Sequence, residues 1–359
     1  MSLKLKLLTC VVVTTQLACA QEVRIGVLGL FRTHQLTLRP SPTQALVVRA
    51  GKDMFTLERS NGQSAATITA SGNELILQLG DRSIRTSAIR AASRSDGVTD
   101  FALAIPGKIS RQYHGVLEVK SASGVLVSFV TMDLETAVAS AVQAESAPDT
   151  PLEALKAQAV ATRSYFAAAR GRHHEFDFCD TTHCQFLREP PAPEAASSRA
   201  AFSTRGLVLA YRDQTVAAMF SRSCGGRTRT PQEIGLPTGG YPYFAVACGY
   251  CLRHPSRWSR RVSQSEAGDL LKRGEPSRLE IDRRLGWDAV PSNNFAAHND
   301  GHGVVLEGAG QGHGIGLCQA GAKAMAQAGS GFHAILDHYY PNTALISVEQ
   351  TQVRFASGN

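Results

Sequence analysis

The chain lacks the short motifs of several large enzyme classes, and each absence removes a function. It contains no P-loop, no nucleophile elbow and no metalloprotease helix motif. Its glycine-dense segment 310–316 is no dinucleotide-binding loop, because a Rossmann fingerprint needs a βαβ unit and an acidic residue about 20 positions further on. Ser223 and the dispersed histidines leave a Ser/His hydrolase only as a formal alternative.

Lys/Arg runs and aromatic ladders are also missing, which argues against nucleic acid as a partner. The formal net charge is +7, and removal of residues 1–20 would take away Lys4 and Lys6 and leave +5. A modest positive excess suits an anionic polymer such as the cell-wall glycan, or serves solubility alone.

Beyond residues 1–20, no segment is apolar enough to span a bilayer. Residues 1–20 combine a basic start, an apolar stretch over 7–17 and a small-residue end, Ala18-Cys19-Ala20. This pattern is typical of a signal peptide and predicts an exported protein, periplasmic or associated with the cell wall. An uncleaved membrane anchor and a lipid on Cys19 are the alternatives.

The remaining composition is that of a globular protein, with 43% hydrophobic and 19% charged residues in a chain of 359. Residues 21–114 show strand-like alternation, as in Val23, Ile25 and Val27, with turn residues between the runs. We predict a β-rich N-terminal region that packs as a sandwich or curled sheet. Further strands are predicted over 115–120 and 124–131.

Helical patterns follow, so the predicted fold class is α+β, with the β-rich region packed against a mixed α/β core. Asp133 is the expected N-cap of a helix through Ala144, and a capping box over 150–153 opens a second helix that ends at Arg170. In the second helix Lys156 and Arg163 are expected to point away from the core, which receives Leu152, Leu155, Ala159 and Phe166. Strands over 206–211 and 215–220 and helices over 318–328 and 332–340 complete the expectation.

Glu145 is the carboxylate best placed for proton transfer. It lies at the last turn of the first helix, where the negative end of the helix dipole favours a protonated carboxyl, more so if water is excluded. A general acid needs this property. The structural alternative is a solvated helix-terminal glutamate, while Glu135 and Glu153 lie in first helical turns and are explained structurally.

Two groups of cysteines could hold metal or form disulfides in an exported chain. The first contains, within a dozen residues, His173, His174, Cys179, His183 and Cys184, and suits tetrahedral zinc or a Cys179–Cys184 disulfide. The second is the pair Cys248 and Cys251, with Cys224 as a possible third member, for which structural pairing or a second metal site is expected.

Four motifs occur in order along the chain: EALKAQAVATRSY over 153–165, CDTTHCQ over 179–185, SCGGRT over 223–228, and the segment 310–322 with the IL and YY pairs at 335–336 and 339–340. Together they resemble the stage II sporulation protein D family, also called the amidase-enhancer family. The matching family motifs are its ALKAQ helix, its CDTTHCQ segment, its SxCGGxT turn and its GHGxGxxQxGA ending. The resemblance implies a family domain over 115–348, followed by a tail over 349–359.

The resemblance implies a peptidoglycan-acting protein and, for enzymatic members, a lytic transglycosylase that cuts the MurNAc–GlcNAc bond and leaves a 1,6-anhydro end. The family's catalytic glutamate falls on Glu145, and substrate contacts are expected from Arg163, His313 and Gln319. Structural zinc is expected to brace a loop through the side chains of His173, Cys179, His183 and Cys184.

One local departure from the family pattern follows the catalytic position, where Ser146-Ala147-Pro148 replaces the usual methionine and proline. The turn after Glu145 is therefore expected to differ. Two functions remain open: a glycan-cleaving enzyme, or a non-catalytic peptidoglycan-binding activator of a cell-wall amidase. The expected partners are accordingly glycan strands and an amidase.

Overall fold

A computed structural model describes residues 21–348 apart from 63, 238, 264, 266–277 and 301. The predicted signal peptide over 1–20 and the tail over 349–359 lie outside the described residues. None of the described helices is both long and apolar enough to cross a membrane.

A twelve-stranded sheet forms the N-terminal half, as the alternation predicts. Its strands are β1 (Glu22–Val27), β2 (Gln35–Pro40), β3 (Leu46–Ala50), β4 (Asp53–Leu57), β5 (Ala66–Ser71), β6 (Glu74–Leu79), β7 (Arg82–Thr86), β8 (Ala88–Ala92), β9 (Thr99–Ile105), β10 (Ile109–Ala122), β11 (Val125–Asp133) and β12 (Phe178–Cys179). The main path runs β12-β1-β11-β10-β9-β2-β5-β6-β7, and β8 joins the β3–β4 pair to β10.

The sheet curls because β10 changes partners along its length. Its first half pairs antiparallel with β9, whereas its second half pairs with β11 on one side and β8 on the other. The apolar positions of the alternating runs face the enclosed core, and Val23, Ile25 and Leu77 are fully or almost fully buried there. The predicted boundary at 114/115 falls inside β10, so the β-rich region and the following segment share one sheet.

Two helices connect this sheet to the rest of the chain: α1 (Leu134–Glu145) and α2 (Leu152–Ala168). The predicted N-cap is confirmed, since the Asp133 carboxylate accepts hydrogen bonds from the backbone N–H groups of Glu135 and Thr136 at 2.9 and 3.2 Å. The α1 helix therefore begins directly at the end of β11 and carries Glu145 as its last residue.

The predicted capping box of α2 is wrong. Pro151 is the N-cap residue, and the Thr150 hydroxyl lies one position too early, donating instead to the Ala147 carbonyl in the preceding turn. Glu153 accepts hydrogen bonds from Lys156 and from the backbone N–H of Phe332. It therefore binds the first residue of a later helix, Phe332, and does not cap α2. Leu152, predicted to be in the core, is also exposed, because it lies in the free first turn.

The remaining elements fold over α2. They are α3 (Ala196–Ser203), β13 (Leu207–Tyr211), β14 (Gln214–Thr215), β15 (Phe220–Ser221), α4 (Gly249–Arg253), β16 (Arg257–Val262), α5 (Arg278–Leu285), β17 (Phe295–Asn299), β18 (Val304–Ala309), β19 (Leu317–Cys318), α6 (Gln319–Gln327), α7 (Phe332–Tyr339) and β20 (Ala344–Ser347). The two helices predicted over 318–328 and 332–340 are confirmed as α6 and α7, with each boundary within one residue. The α2 helix contacts α1 and α3 on one side and β13, α6 and α7 on the other.

Arg163 is the centre of this packing, which contradicts both predictions made for it. It has no solvent exposure, and its guanidinium forms a two-pronged ion pair with Glu135, with Nε donating to Oε1 at 2.8 Å. The remaining N–H groups donate to Thr204 Oγ1 and to the carbonyls of Ala201 and Leu207. All three guanidinium nitrogens therefore donate hydrogen bonds inside the protein, and Arg163 is not available as a substrate ligand.

We expect Arg163→Met to lower the free energy of unfolding by about 3–5 kcal/mol, because it leaves the Glu135 carboxylate buried without its partner. The double variant Glu135→Leu/Arg163→Met should recover much of this loss. Urea denaturation measures both. Arg227→Met is the matched control, since its ion pair with Glu233 has a similar length, 2.5 Å, but is exposed and should contribute at most about 1 kcal/mol. Equal losses for Arg163→Met and Arg227→Met would contradict the structural role.

Candidate functional site

Glu145 lies where three distant segments of the chain meet. As the last residue of α1, it turns its carboxyl towards the loop after β12, where the backbone N–H of Phe186 donates to Oε1 at 3.1 Å. Its own carbonyl accepts a hydrogen bond of 3.1 Å from the side-chain amide of Gln319, at the start of α6. The acid is thereby held from both sides by residues 41 and 174 positions away.

Burial raises the pKa of Glu145 to about 7. The hydrogen bond from Phe186 and the positive charge of Arg222 act in the opposite direction, so desolvation outweighs both. Near neutral pH a large fraction of the carboxyl is therefore protonated and able to donate a proton.

The Glu145 carboxyl opens into a cavity of about 380 Å³. This volume lies at the lower end of the range for ligand pockets in proteins. The walls come from the end of α1, the start of α2, the residues after β15 and the start of α6, and they include Glu145, Ser146, Thr150, Gln158, Arg222, Tyr250, Leu317, Gln319 and Lys323.

Two polar side chains of this cavity were missed by the sequence reasoning. Arg222 is exposed, and within the described ranges no side chain pairs with its guanidinium. Gln158 is buried, and its Oε1 accepts from the Ser146 hydroxyl at 2.9 Å, while its Nε2 has no partner in the described part of the chain. Both belong to or adjoin motifs already noticed, the ALKAQ helix and the SxCGGxT turn, which was the available signal.

The glycine-dense segment 310–316 does not line the cavity itself, but it leads directly into the wall formed by Leu317, Gln319 and Ala320. Its glycines at 310, 312, 314 and 316 all have positive φ, as the glycine content predicts. A Cβ on Gly316 would overlap the Met219 carbonyl oxygen, so glycine allows β19 to lie parallel against β15. That pairing brings Gln319 next to Arg222, and the Ala320 N–H donates to the Arg222 carbonyl at 3.1 Å.

His313, predicted to line the groove, is not among the cavity residues. Its ring faces backbone: Nδ1 accepts from the Ile315 N–H at 3.1 Å, and the ring also hydrogen bonds to the backbone of Phe220. Burial lowers the pKa of His313 to about 4, the hydrogen bond to Phe220 opposing this only in part. His313 is therefore neutral at physiological pH, and its hydrogen bonds to the backbone of Ile315 and Phe220 hold the glycine segment in place.

Other glutamates near the helices differ from Glu145. The hydrogen bond from Lys156 lowers the pKa of Glu153, and Glu135 is enclosed in the ion pair with Arg163. Glu233 borders a second, open hollow of about 590 Å³; burial raises its pKa, but hydrogen bonds from Thr230 and Arg227 outweigh burial and the net pKa is lowered. The raised pKa of Glu145, in contrast, is the property that acid catalysis near neutral pH requires.

The structure brings together the four predicted metal ligands. One donor atom from each of His173, Cys179, His183 and Cys184 lies within 4.8 Å of the other three, and both thiols are free. The predicted turn is present, since the Cys184 N–H donates to the Thr181 carbonyl at 3.0 Å. Two thiols and two imidazoles at this spacing fit a tetrahedral zinc ion. His174 is not part of the cluster, and its side chain points into solvent.

Comparison with known proteins gives a consistent set of relatives. A family model described as Stage II sporulation protein (SpoIID) matches residues 123–211, from the turn before β11 to the end of β13. An uncharacterized protein of Brachyspira hyodysenteriae is 28% identical over 278 residues, which cover 68% of this chain and 75% of that protein. Stage II sporulation protein D of Bacillus amyloliquefaciens is 23% identical over 257 residues, covering 59% and 74%.

The Amidase enhancer of Bacillus subtilis is 25% identical over 276 residues, which cover 55% of this chain. The match spans only 38% of that longer protein. The segment matched by the family model contains Glu145, Gln158 and the whole His/Cys cluster.

The raised pKa of Glu145 predicts that the variant Glu145→Gln is stabilised at high pH. Ionisation of the buried carboxyl opposes folding, so the wild-type protein should lose stability as the pH rises from about 4.5 to above 7, and the glutamine variant should not. Thermal denaturation at pH 4, 6 and 8 should show a growing difference in Tm. In the control Glu153→Gln the sign is reversed, because the pKa of Glu153 is lowered. A constant Tm difference between wild type and Glu145→Gln would contradict the burial of the carboxyl.

Proposed function

The chain belongs to the stage II sporulation protein D (SpoIID) family, and on this premise we propose that it is a lytic transglycosylase of peptidoglycan with Glu145 as its single general acid and base. The observation that carries the proposal is the half-buried Glu145 carboxyl, with a pKa of about 7, opening into a cavity that Arg222 and Gln158 also line. Such a substrate lies outside the cytoplasm, which agrees with the signal peptide predicted over 1–20.

In the first step the protonated Glu145 carboxyl donates its proton to the glycosidic oxygen between MurNAc and GlcNAc, and the bond from C1 of MurNAc to this oxygen breaks. The positive charge of Arg222 lies close enough to act on Glu145, so it stabilises the carboxylate that results. Positive charge at C1 develops at the same time, and the new carboxylate faces it.

In the second step the Glu145 carboxylate accepts the proton of the C6 hydroxyl while the C6 oxygen bonds to C1 of the same sugar. The products are a 1,6-anhydro-MurNAc end and a free GlcNAc hydroxyl, and the acid is again protonated. No water is consumed. A hydrolytic glycosidase normally uses two carboxylates flanking the bond, whereas this intramolecular route needs only one.

Substrate contacts come from the donors that the fold leaves free. The Nε2 group of Gln158 is buried at the cavity wall and has no partner among the described residues, so a sugar hydroxyl or N-acetyl carbonyl would satisfy it. Gln319 is a more limited candidate than the sequence suggested, because its amide already donates to the Glu145 carbonyl and holds the acid in place.

Structural zinc on His173, Cys179, His183 and Cys184 would hold the loop that contacts the acid. Cys184 lies two residues before Phe186, whose N–H donates to Glu145, and Cys179 is tied into the large sheet by the pairing of β12 with β1. The ion would thus fix the position of the Phe186 N–H relative to α1 and would supply no reacting group.

The second candidate function is stimulation of a cell-wall amidase without glycan cleavage. It is favoured by the similarity to the Amidase enhancer of Bacillus subtilis, which extends over 55% of this chain and 38% of that protein. In this case the cavity would bind glycan strands and another surface would contact the amidase.

We expect the purified protein to release anhydro-muropeptides from glycan strands, and Glu145→Gln to lower the rate about 10²–10⁴-fold because the glutamine amide cannot donate the proton. Mass spectrometry of digests from peptide-bearing and peptide-free strands measures the products. Glu153→Gln is the control and should retain cleavage. Reducing ends in place of anhydro ends would show a hydrolase, and full cleavage by Glu145→Gln would refute the assignment of the acid.

Absence of cleavage by the wild-type protein, with retained binding to strands and a faster reaction of an added amidase, would instead establish the second function.

The pH dependence should follow the protonated form of Glu145. Because the carboxyl acts first as an acid, kcat/KM should be highest below pH 7 and fall about tenfold for each pH unit above the pKa. Initial rates of anhydro-product formation between pH 5 and 9 measure this profile. Arg222→Gln removes the charge that lowers the Glu145 pKa, so it should move the descending limb to higher pH. A profile that rises through pH 7 would contradict the acid role.

A further inference from the structure

Four cysteines form a second cluster, in the part of the protein that packs over α2. The sulfur atoms of Cys224, Cys248, Cys251 and Cys318 all lie within 4.8 Å of one another, and Cys251 Sγ is 3.6 Å from Cys318 Sγ. All four thiols are free and buried, with at most 1% exposure. The sequence suggested Cys224 as a third member of this group but not Cys318.

We propose that these four cysteines bind a structural zinc ion, distinct from the His/Cys cluster, which ties together three walls of the Glu145 cavity. The inference concerns the metal and its position, and it stands whether or not the protein cleaves glycan.

The spacing of the sulfur atoms favours one ion over two disulfides. Zinc–sulfur bonds of about 2.3 Å in a tetrahedron separate each pair of sulfurs by about 3.8 Å, close to the distance between Cys251 and Cys318. A disulfide would bring two sulfurs to about 2.05 Å and would pair them two by two, whereas here every sulfur is near all three others. An iron–sulfur cubane would spread the sulfurs further, because its inorganic core lies between them.

Hydrogen-bond donors surround the cluster as they surround metal-bound thiolates. Cys318 Sγ accepts from the backbone N–H groups of Cys224 and Gly321, both at 3.4 Å. The Ser223 hydroxyl lies 3.4 Å from Cys251 Sγ, and the Tyr339 hydroxyl lies 3.5 Å from Cys248 Sγ. Zinc with four thiolates carries a net charge of −2, and buried negative charge needs such donors.

The position of Gly321 shows how closely the chain packs around the sulfurs. A Cβ at this residue would overlap both Cys248 Sγ and the Tyr339 hydroxyl, so only glycine fits. Cys318 is also the N-cap of α6, a nine-residue helix whose positive end stabilises a thiolate.

Each ligand segment carries a residue of the Glu145 cavity. Arg222 lies two positions before Cys224, Tyr250 directly before Cys251, and Gln319 directly after Cys318. The α4 helix that holds Cys251 has only five residues and little stability of its own. An ion joining residues 67 and 94 positions apart would therefore fix the relative positions of these walls.

The test uses the full chain purified under reducing conditions without chelator. The double variant Cys179→Ser/Cys184→Ser removes the thiols of the His/Cys cluster and leaves the four-cysteine cluster intact. We expect elemental analysis to find about one zinc per chain, and zinc X-ray absorption to show about four sulfur neighbours near 2.3 Å and no nitrogen. Cys318→Ser added to this variant should remove the zinc. Wild-type protein provides a second measurement, with about two zinc per chain and about three sulfurs and one nitrogen per zinc on average.

Three results would overturn the proposal. One is alkylation and mass spectrometry showing two disulfides among these cysteines. Another is four free thiols without metal, or iron in place of zinc. The last is a zinc content of Cys179→Ser/Cys184→Ser that is unchanged by Cys318→Ser. Because the absorption measurement needs only the intact four-cysteine cluster, it decides the question even if the Cys318 variant does not fold.

Discussion

The buried ion pair between Arg163 and Glu135 joins α2 to the first turn of α1, and the candidate site at the other end of α1 depends on this contact. Both side chains are buried, and an unpaired charge in this position is strongly unfavourable, so separation of the two helices is strongly unfavourable. Glu135 begins the same helix that Glu145 ends. A contact made in the core at one end of α1 thereby determines where the acid projects at the other end.

The raised pKa of Glu145 comes from exclusion of water, and the fold achieves this with a small number of contacts. Phe186 and Gln319 are far apart in the sequence, and both form hydrogen bonds with Glu145. In an isolated α1 helix Glu145 would be exposed to water. The Phe186 N–H donates to the Glu145 carboxyl oxygen Oε1, whereas the Gln319 side-chain amide donates to the Glu145 backbone carbonyl, so only the first contact involves the carboxyl group. Desolvation dominates the pKa because only one hydrogen bond and one nearby charge oppose it.

Sequence reasoning worked where neighbours in sequence decide the conformation. The alternation of Val23, Ile25 and Val27 reflects the two-residue period of a strand, and Asp133 caps α1 through N–H groups two and three residues away. It failed where a distant partner competed. Glu153 has the spacing of a capping box, but it accepts hydrogen bonds from the Phe332 N–H and from Lys156 instead. Arg163 was predicted to point away from the core because the sequence does not show that Glu135 would pair with it.

The same division holds at the site. The sequence by itself determined that Glu145 ends a helix and that glycines shape the segment before Gln319, because helix caps and positive φ are local properties of the backbone. Only the tertiary structure decided that this carboxyl is desolvated, that Arg222 and Gln158 share its cavity, that His313 turns to the backbone and that Cys318 joins three distant cysteines. Each of these features depends on contacts between segments that are far apart in the sequence, and a local sequence pattern does not determine which distant segments will pack together.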